Sequence, residues 1–372
     1  MKQKLSEIAN ITMGQSPLSS CYNSDGIGTP FLQGCTTFGR IYPSYDTWTT
    51  QFNKSANEND VLFTVRAPVG DVNLCQRFTA IGRGLASIHA TKVSQKYLFY
   101  LLEGNKSAFT SASSGTIYQS INKDKLCNVV LNVHDSSTQQ HIVDTIGTID
   151  DLIEKNEEII NKCEEFARVI FIEMTRKVQM FVPLGKVLSR CSTGLNPRKN
   201  FVLGHGNCFY VTIKNMSGTN VLLDSKCDKI DFDAIAKISA RSHLSKGDVL
   251  FSGIGTIGRS YLCYETPTNW NISESVFCFS PNELVSSEYL YELVTSNDFI
   301  SFANSNASGA AQKGIRMSDL KTHLVPLLNK SDLEKFNSKV KPILKKANIC
   351  RQENDKLNRN KRNLLEKYFA SN

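Results

Sequence analysis

Two stretches of the chain carry an apolar spacing that suits only a helix. Between residues 142 and 177, Ile146, Ile149, Ile153, Asn156, Ile160, Cys163, Ala167, Ile170 and Met174 recur at alternating steps of three and four. Towards the other end, Phe336, Val340, Ile343, Ala347, Cys350, Asn354, Leu357, Lys361, Leu364 and Tyr368 repeat the spacing. Such a heptad seam keeps one narrow stripe turned towards a partner helix. Ser137-x-x-Gln140 and Ser331-x-x-Glu334 stand ahead of the two stretches as capping boxes. The rest of the chain is patterned differently. Short apolar or alternating runs, among them 129–133, 208–213, 260–263 and 276–279, are separated by Gly, Asn, Asp and Pro and predict strands. Within them, the spacing near 97–103 and 289–296 predicts two short helices.

Charge decides how the long stretches pair. Residues 136–178 hold five basic and nine acidic residues, and residues 330–372 hold twelve basic and five acidic. The two helices therefore attract each other, and each repels its own copy. Asn156 and Asn354 occupy seam positions that an antiparallel pair brings together. That register sets Ile146 opposite Leu364, Met174 opposite Phe336, Glu157 beside Arg351 and Glu173 beside Lys339. The expectation is an intramolecular antiparallel coiled coil; two core helices of separate domains are the alternative. Pro342 argues against an unbroken second helix, because an interior proline kinks one.

Landmarks ahead of each helix recur in the same order. Leu5-Ser-Glu-Ile-Ala returns as Leu184-Gly-Lys-Val-Leu, and Asp60-Val-Leu-Phe as Asp248-Val-Leu-Phe. Tyr97-Leu-Phe-Tyr-Leu-Leu returns as Tyr289-Leu-Tyr-Glu-Leu-Val, and the segment from Ser114 to Leu126 as that from Ser308 to Leu320. We read a tandem duplication of α+β class: two β-rich globular blocks, 1–135 and 180–330, separated by a long antiparallel coiled coil. The spacer helices are 136–179 and 331–372.

Bulk properties narrow the function. At 372 residues and 41% apolar, two domains with proper cores are expected. No apolar run approaches the roughly 20 residues of a membrane span, and the first residues lack the apolar stretch of a signal peptide. We therefore expect a cytoplasmic protein. Eleven cysteines without one C-x-x-C read as reduced, buried thiols, without a disulfide framework or zinc site. The net charge of +8 points modestly towards a polyanionic partner. Gly253-Ile-Gly-Thr-Ile-Gly spells the phosphate-binding G-x-G-x-x-G, but Arg259-Ser-Tyr-Leu continues it as a strand where a dinucleotide site needs a helix. The six histidines form no metal or triad spacing.

One stretch carries a family resemblance. Asp60-Val-Leu-Phe-Thr-Val-Arg-Ala-Pro-Val-Gly, followed by Ala80-Ile-Gly-Arg-Gly-Leu-Ala, resembles the signature of the DNA-specificity subunits of type I restriction–modification enzymes. The Ser-Gly…Ile-Asn-Lys-x-x-Leu segment ahead of the first helix is similar too. The resemblance runs through the order of block, helix, block, helix. It implies a non-catalytic subunit whose two target-recognition domains each read half of a split duplex site. It also implies two methyltransferase subunits on the helical spacer, with restriction subunits where the system has them. S-adenosylmethionine, ATP and Mg would belong to those partners, with no cofactor in this chain. The second block departs from the signature: Ser252-Gly-Ile-Gly-Thr-Ile-Gly-Arg leaves Arg66 without a counterpart.

Reading bases takes hydrogen-bonding side chains on loops, and holding phosphates takes Arg, Lys or backbone N–H groups. In the first block these are Gln33, Thr36, Arg40, Tyr42, Arg66, Arg83, Thr116, Tyr118 and Gln119. In the second they are Arg198, Lys199, Tyr210, Lys214, Asn215, Gln312, Lys313 and Arg316. Two other functions stay open: a nucleotide-cofactor enzyme built on Gly253–Gly258, and a coiled-coil adaptor that binds no DNA. If the helices act as a ruler, a seam of roughly 42 Å would suit half-sites about one duplex turn apart.

Overall fold

The computed structural model describes residues 1–113, 119–224, 226–309 and 312–369. Its contacts divide the chain into two units, residues 1–154 with 355–372, and residues 155–354.

The first unit is built on an antiparallel sheet of four strands in the order Ala9–Met13, Leu85–Ala90, Val61–Thr64, Val72–Leu74. Val61–Thr64 is buried throughout because both faces of the sheet are covered. Its side chains alternate between two cores, as the two-residue period of a strand requires. Val61 and Phe63 pack with Leu5, Ile88 and the helix Gln95–Gly104. Leu62 packs with Leu32, Ala56 and Ile81, which belong to a smaller five-stranded sheet. In that smaller sheet Thr29–Leu32 and Thr79–Ile81 run parallel. Ser94 caps the helix by accepting the Tyr97 N–H at 3.2 Å. Strand Lys2–Lys4 pairs with Val130–Asn132 ahead of the helix Ser136–Thr175.

The second unit repeats this frame with the strands Leu188–Thr193, Val276–Pro281, Val249–Ser252 and Ser260–Leu262 in the same order. Val249 and Phe251 face one core and Leu250 another. The helix Ser287–Val294 is capped by Ser286, and Phe181–Pro183 pairs with Leu324–Pro326. The two short helices expected from the apolar spacing are therefore present, one in each unit. New to this unit is a helix, Phe232–Ser242; the unit's second, three-stranded sheet pairs Cys208–Val211 parallel with Trp270–Ile272.

The repeated Asp-Val-Leu-Phe owes its aspartate to turn chemistry. Asp60 is 3% exposed and accepts the Asn57 N–H at 2.9 Å and the Ser87 hydroxyl at 2.7 Å. Asp248, 2% exposed, accepts the Ser245 N–H at 2.8 Å, the Ser280 hydroxyl and the Arg190 guanidinium at 3.0 Å. Each closes the turn that delivers the chain into the central strand. Asn59 and Gly247, one residue earlier, take positive φ of 69° and 89°, a region that favours glycine and asparagine.

The long helices span Ser136–Thr175 and Lys330–Phe369, the second continuing through Pro342. Their caps differ from the expected boxes. Asp135 accepts both the N–H and the hydroxyl of Thr138. Asn329 accepts the Asp332 N–H at 2.9 Å while its amide donates to the Asp332 carboxylate at 2.8 Å. Both helices thus start ahead of Ser137 and Ser331.

In the second unit, Asn156 Nδ2 donates to Asn354 Oδ1 at 2.9 Å and the Phe171 and Phe336 ring centroids lie 6.3 Å apart. Rising numbers on one helix meet falling numbers on the other, so these segments run antiparallel. Ala167, Ile170, Phe336, Val340, Ala347 and Cys350 are buried, with Ile160, Met174 and Ile343 half-buried. In the first unit Ile142, Ile146 and Ile153 are buried, and Leu364 and Tyr368 pack on its main core beside Phe369; Ile149 and Leu357 are half-buried. Lys361, the charged residue of the second seam, donates to both oxygens of Asp150 at 3.1 Å. Arg351 pairs with Glu164 and also donates to Thr219.

Candidate nucleic-acid interface

The candidate residues of the first unit separate into two groups. Gln33, Arg66, Arg83 and Gln119 come together at one end of the central sheet, all four exposed. Past its last paired residue, the strand Val61–Thr64 continues into Val65, whose N–H donates to Gly84 O at 3.0 Å. The Ile121 N–H donates to Val65 O at 3.0 Å, and the Ala67 N–H to Gln119 O at 3.0 Å. On the far side, the Gly84 N–H donates to Gln33 O at 3.1 Å, and Ser16 Oγ donates to Gln33 Oε1 at 2.9 Å. Four polar side chains are thus displayed on backbone fixed by main-chain hydrogen bonds, an arrangement suited to reading base edges. Thr36, on the loop after Gln33, is also exposed. Thr116 and Tyr118 lie outside the described residues.

Arg40 and Tyr42 belong elsewhere. Arg40 donates to the Asp150 carboxylate at 2.5 Å and the Asp150 carbonyl at 3.0 Å. Asp150, 1% exposed, also accepts from Tyr100 at 2.9 Å and from Lys361. A guanidinium holding a buried carboxylate is committed to structure. Tyr42 titrates above its ordinary value, through burial first and then the nearby carboxylates of Glu154, Asp151 and Asp150. An acidic neighbourhood of that kind repels phosphate.

In the second unit, Gln312, Lys313 and Arg316 are exposed beside the Gly253–Gly258 loop. The Gly255 N–H donates to Lys313 O at 2.7 Å and the Ile315 N–H to Gly253 O at 2.9 Å. That loop joins two antiparallel strands, Val249–Ser252 and Ser260–Leu262. It therefore lacks the strand-then-helix setting that a nucleotide phosphate needs, which removes the ground for a cofactor enzyme built on it.

Arg198 and Lys199 line a cavity of about 390 Å³ with His205, Asp231, Asp233 and Lys237. Lys214 is exposed on the single turn Ile213–Asn215. Tyr210 and Asn215 are not available to DNA. Tyr210 is 2% exposed, its hydroxyl donating to Leu195 O at 2.8 Å and Glu274 at 3.1 Å. Its pKa rises through burial and then the Glu274 carboxylate. Asn215 is 5% exposed and accepts the Thr212 N–H at 2.9 Å. Tyr210 lies in the run 208–213 that the alternation reads as a strand, and its burial depends on Leu195 and Glu274, which are distant along the chain.

Two partly buried pairs carry no sequence signal. Arg168 meets Glu292 at 3.1 Å, and burial, reinforced by Glu164 and opposed by Arg168, pushes Glu292 up to about 7. Glu103 also titrates above its ordinary value, through burial partly offset by Lys361. Among the described residues no group of three or more His, Cys, Asp or Glu side chains is placed to hold a metal ion. Among them, too, no helix is long and apolar enough to cross a membrane.

Residues 1–165 match the type I restriction modification DNA specificity domain. The chain is 38% identical over 175 residues to a putative type I restriction enzyme MjaX specificity subunit of Methanocaldococcus jannaschii, covering 46% of this chain and 41% of the relative. Over 88 residues it is 35% identical to the type I restriction enzyme HindI specificity subunit of Haemophilus influenzae, covering 22% and 19%. The chain thus matches less than half the length of these curated relatives. The fold as a whole resembles the crystal structure of a type I restriction–modification S subunit from M. genitalium. The TM-score is 0.61 at 14% identity, covering 100% of this chain and 96% of the other.

Proposed function

We propose that the whole chain is a non-catalytic specificity subunit of a type I restriction–modification system, reading a two-part duplex target. The observation that carries this reading is the repeated frame. The strand order of the matched specificity domain recurs in the second unit, with other side chains on its exposed end. Each unit then reads one half-site, and the paired helices set the number of unread base pairs between the halves. Two methyltransferase subunits dock on the helices, and restriction subunits join where the system has them. S-adenosylmethionine, ATP and Mg serve those partners, in the cytoplasm.

The test is equilibrium binding of labelled duplexes by the purified chain with its methyltransferase partner, titrated with salt. We expect log affinity to fall linearly with log salt as counterions are released, a complex of one chain with two methyltransferases, and no turnover by the chain alone. Salt-independent or absent binding would leave an adaptor. Turnover abolished by a point change in this chain would make it an enzyme.

A further inference from the structure

The hydrogen-bond pattern aligns the two units residue by residue at the exposed end of the central sheet. Thr64 Oγ1 donates to Pro68 O at 2.6 Å and accepts the Asp71 N–H at 2.8 Å. Ser252 Oγ donates to Thr256 O at 2.6 Å and accepts the Arg259 N–H at 2.8 Å. The spacing is the same, four residues on and seven residues on, so the loops after Thr64 and Ser252 follow one course. Further bonds fix the neighbours. The Val65 N–H donates to Gly84 O and the Gly253 N–H to Ser275 O; the Ala67 N–H donates to Gln119 O and the Gly255 N–H to Lys313 O. The Gly82 N–H donates to Leu32 O at 2.8 Å, as the Ser273 N–H does to Val211 O at 2.8 Å. In both units those two residues continue the parallel pairings Leu32 with Ile81 and Val211 with Ile272.

Four backbone positions are therefore equivalent, and all four carry different chemistry. Gln33 corresponds to Thr212, Arg66 to Ile254, Arg83 to Glu274 and Gln119 to Lys313. The Asp-Val-Leu-Phe strand and its turn are shared, whereas these positions are exposed or half-exposed and unlike. Resting on the functional reading above, we propose that these four paired positions are the base-reading set of each unit. Arg66 and Arg83 suit the two acceptors on guanine, and Gln33 and Gln119 suit adenine. In the second unit half-exposed Glu274, whose Oε2 accepts the Tyr210 hydroxyl at 3.1 Å, has a second carboxylate oxygen suited to the amino group of cytosine; Ile254 and Thr212 suit the thymine methyl, and Lys313 suits guanine. The half-sites are then chemically unlike although the frame that reads them is shared.

The test is selection from a randomised duplex pool by the chain in complex with its methyltransferase partner. The variants replace residues of one unit by their counterparts: Arg66→Ile, Arg83→Glu and, in the other unit, Glu274→Arg. Each is expected to change the preferred base at one or two pairs of a single half-site by at least about tenfold, a bidentate contact's share, leaving the other half-site alone. Arg83→Lys is expected to keep guanine with reduced selectivity. If Arg66→Ile and Arg83→Glu bind every duplex uniformly more weakly and select the unchanged target, the arginines hold phosphates and the proposal is overturned. If Glu274→Arg, folded by circular dichroism, leaves its half-site unaltered, the proposal fails for the second unit. A wild-type complex that enriches no sequence overturns the functional reading, and this proposal with it.

Discussion

Arg40 and Arg83 looked alike in the sequence: each is an arginine beside glycine on a loop of the first block. Arg83 is exposed, and Arg40 is tied to the buried carboxylate of Asp150. The difference was illegible because Asp150 lies on a helix more than a hundred residues away. Arg40→Ala should lower unfolding free energy in urea by about 2 kcal/mol, the scale of a hydrogen bond to a charged group, and leave the salt dependence of DNA binding unchanged. A smaller salt slope without loss of stability would return Arg40 to the interface. Glu292 supplies a pH prediction. Burial raises its folded-state pKa from the ordinary 4.5 to about 7, so the native state binds the extra proton. Stability from this group is full below about 4.5 and is lost as pH rises through about 7. Chemical denaturation of the chain at pH 5 and pH 8 should show a loss of about 1–3 kcal/mol assignable to this residue. Glu292→Gln should remove that slope; an unchanged slope in the variant would mean that Arg168 keeps the carboxylate ionised throughout.

The long helices were the most legible elements, because a heptad seam is periodic and needs no knowledge of what surrounds it. The pairing of Asn156 with Asn354 followed from seam phase and charge alone. The caps were less legible: Ser137 and Ser331 fit the capping-box pattern, yet Asp135 and Asn329 hold the first free N–H groups. Asp and Asn are among the strongest capping residues, and overlapping frames cannot be separated by spacing. Phe171, Leu344 and Arg351 are buried off the seam because the helices also face the globular part of their unit. The Asn pair should behave as a registry element. Asn156→Leu should destabilise the protein by about 1–3 kcal/mol by costing the Asn354 amide this partner. Asn156→Leu with Asn354→Leu should recover most of that loss. A double-mutant cycle by thermal denaturation measures the coupling; strictly additive losses would show that the amides act independently.

For the molecule as a whole, the repeat of landmarks in the sequence corresponds to a repeat of strand order and turn chemistry in both units. The added helix Phe232–Ser242 was beyond it, since the second unit inserts structure where the first has loops. Replacing residues 1–135 by the corresponding block of a relative should change one half of the target and preserve the other. The central claim, that this chain chooses the DNA sequence for a methyltransferase, is tested most directly by mapping methylated bases across the genome of a host expressing the methyltransferase with and without this chain. The account predicts a two-part motif, two short specific segments separated by a fixed run of unread base pairs, methylated only when the chain is present. The same motif methylated in its absence, or no new motif in its presence, would contradict the account.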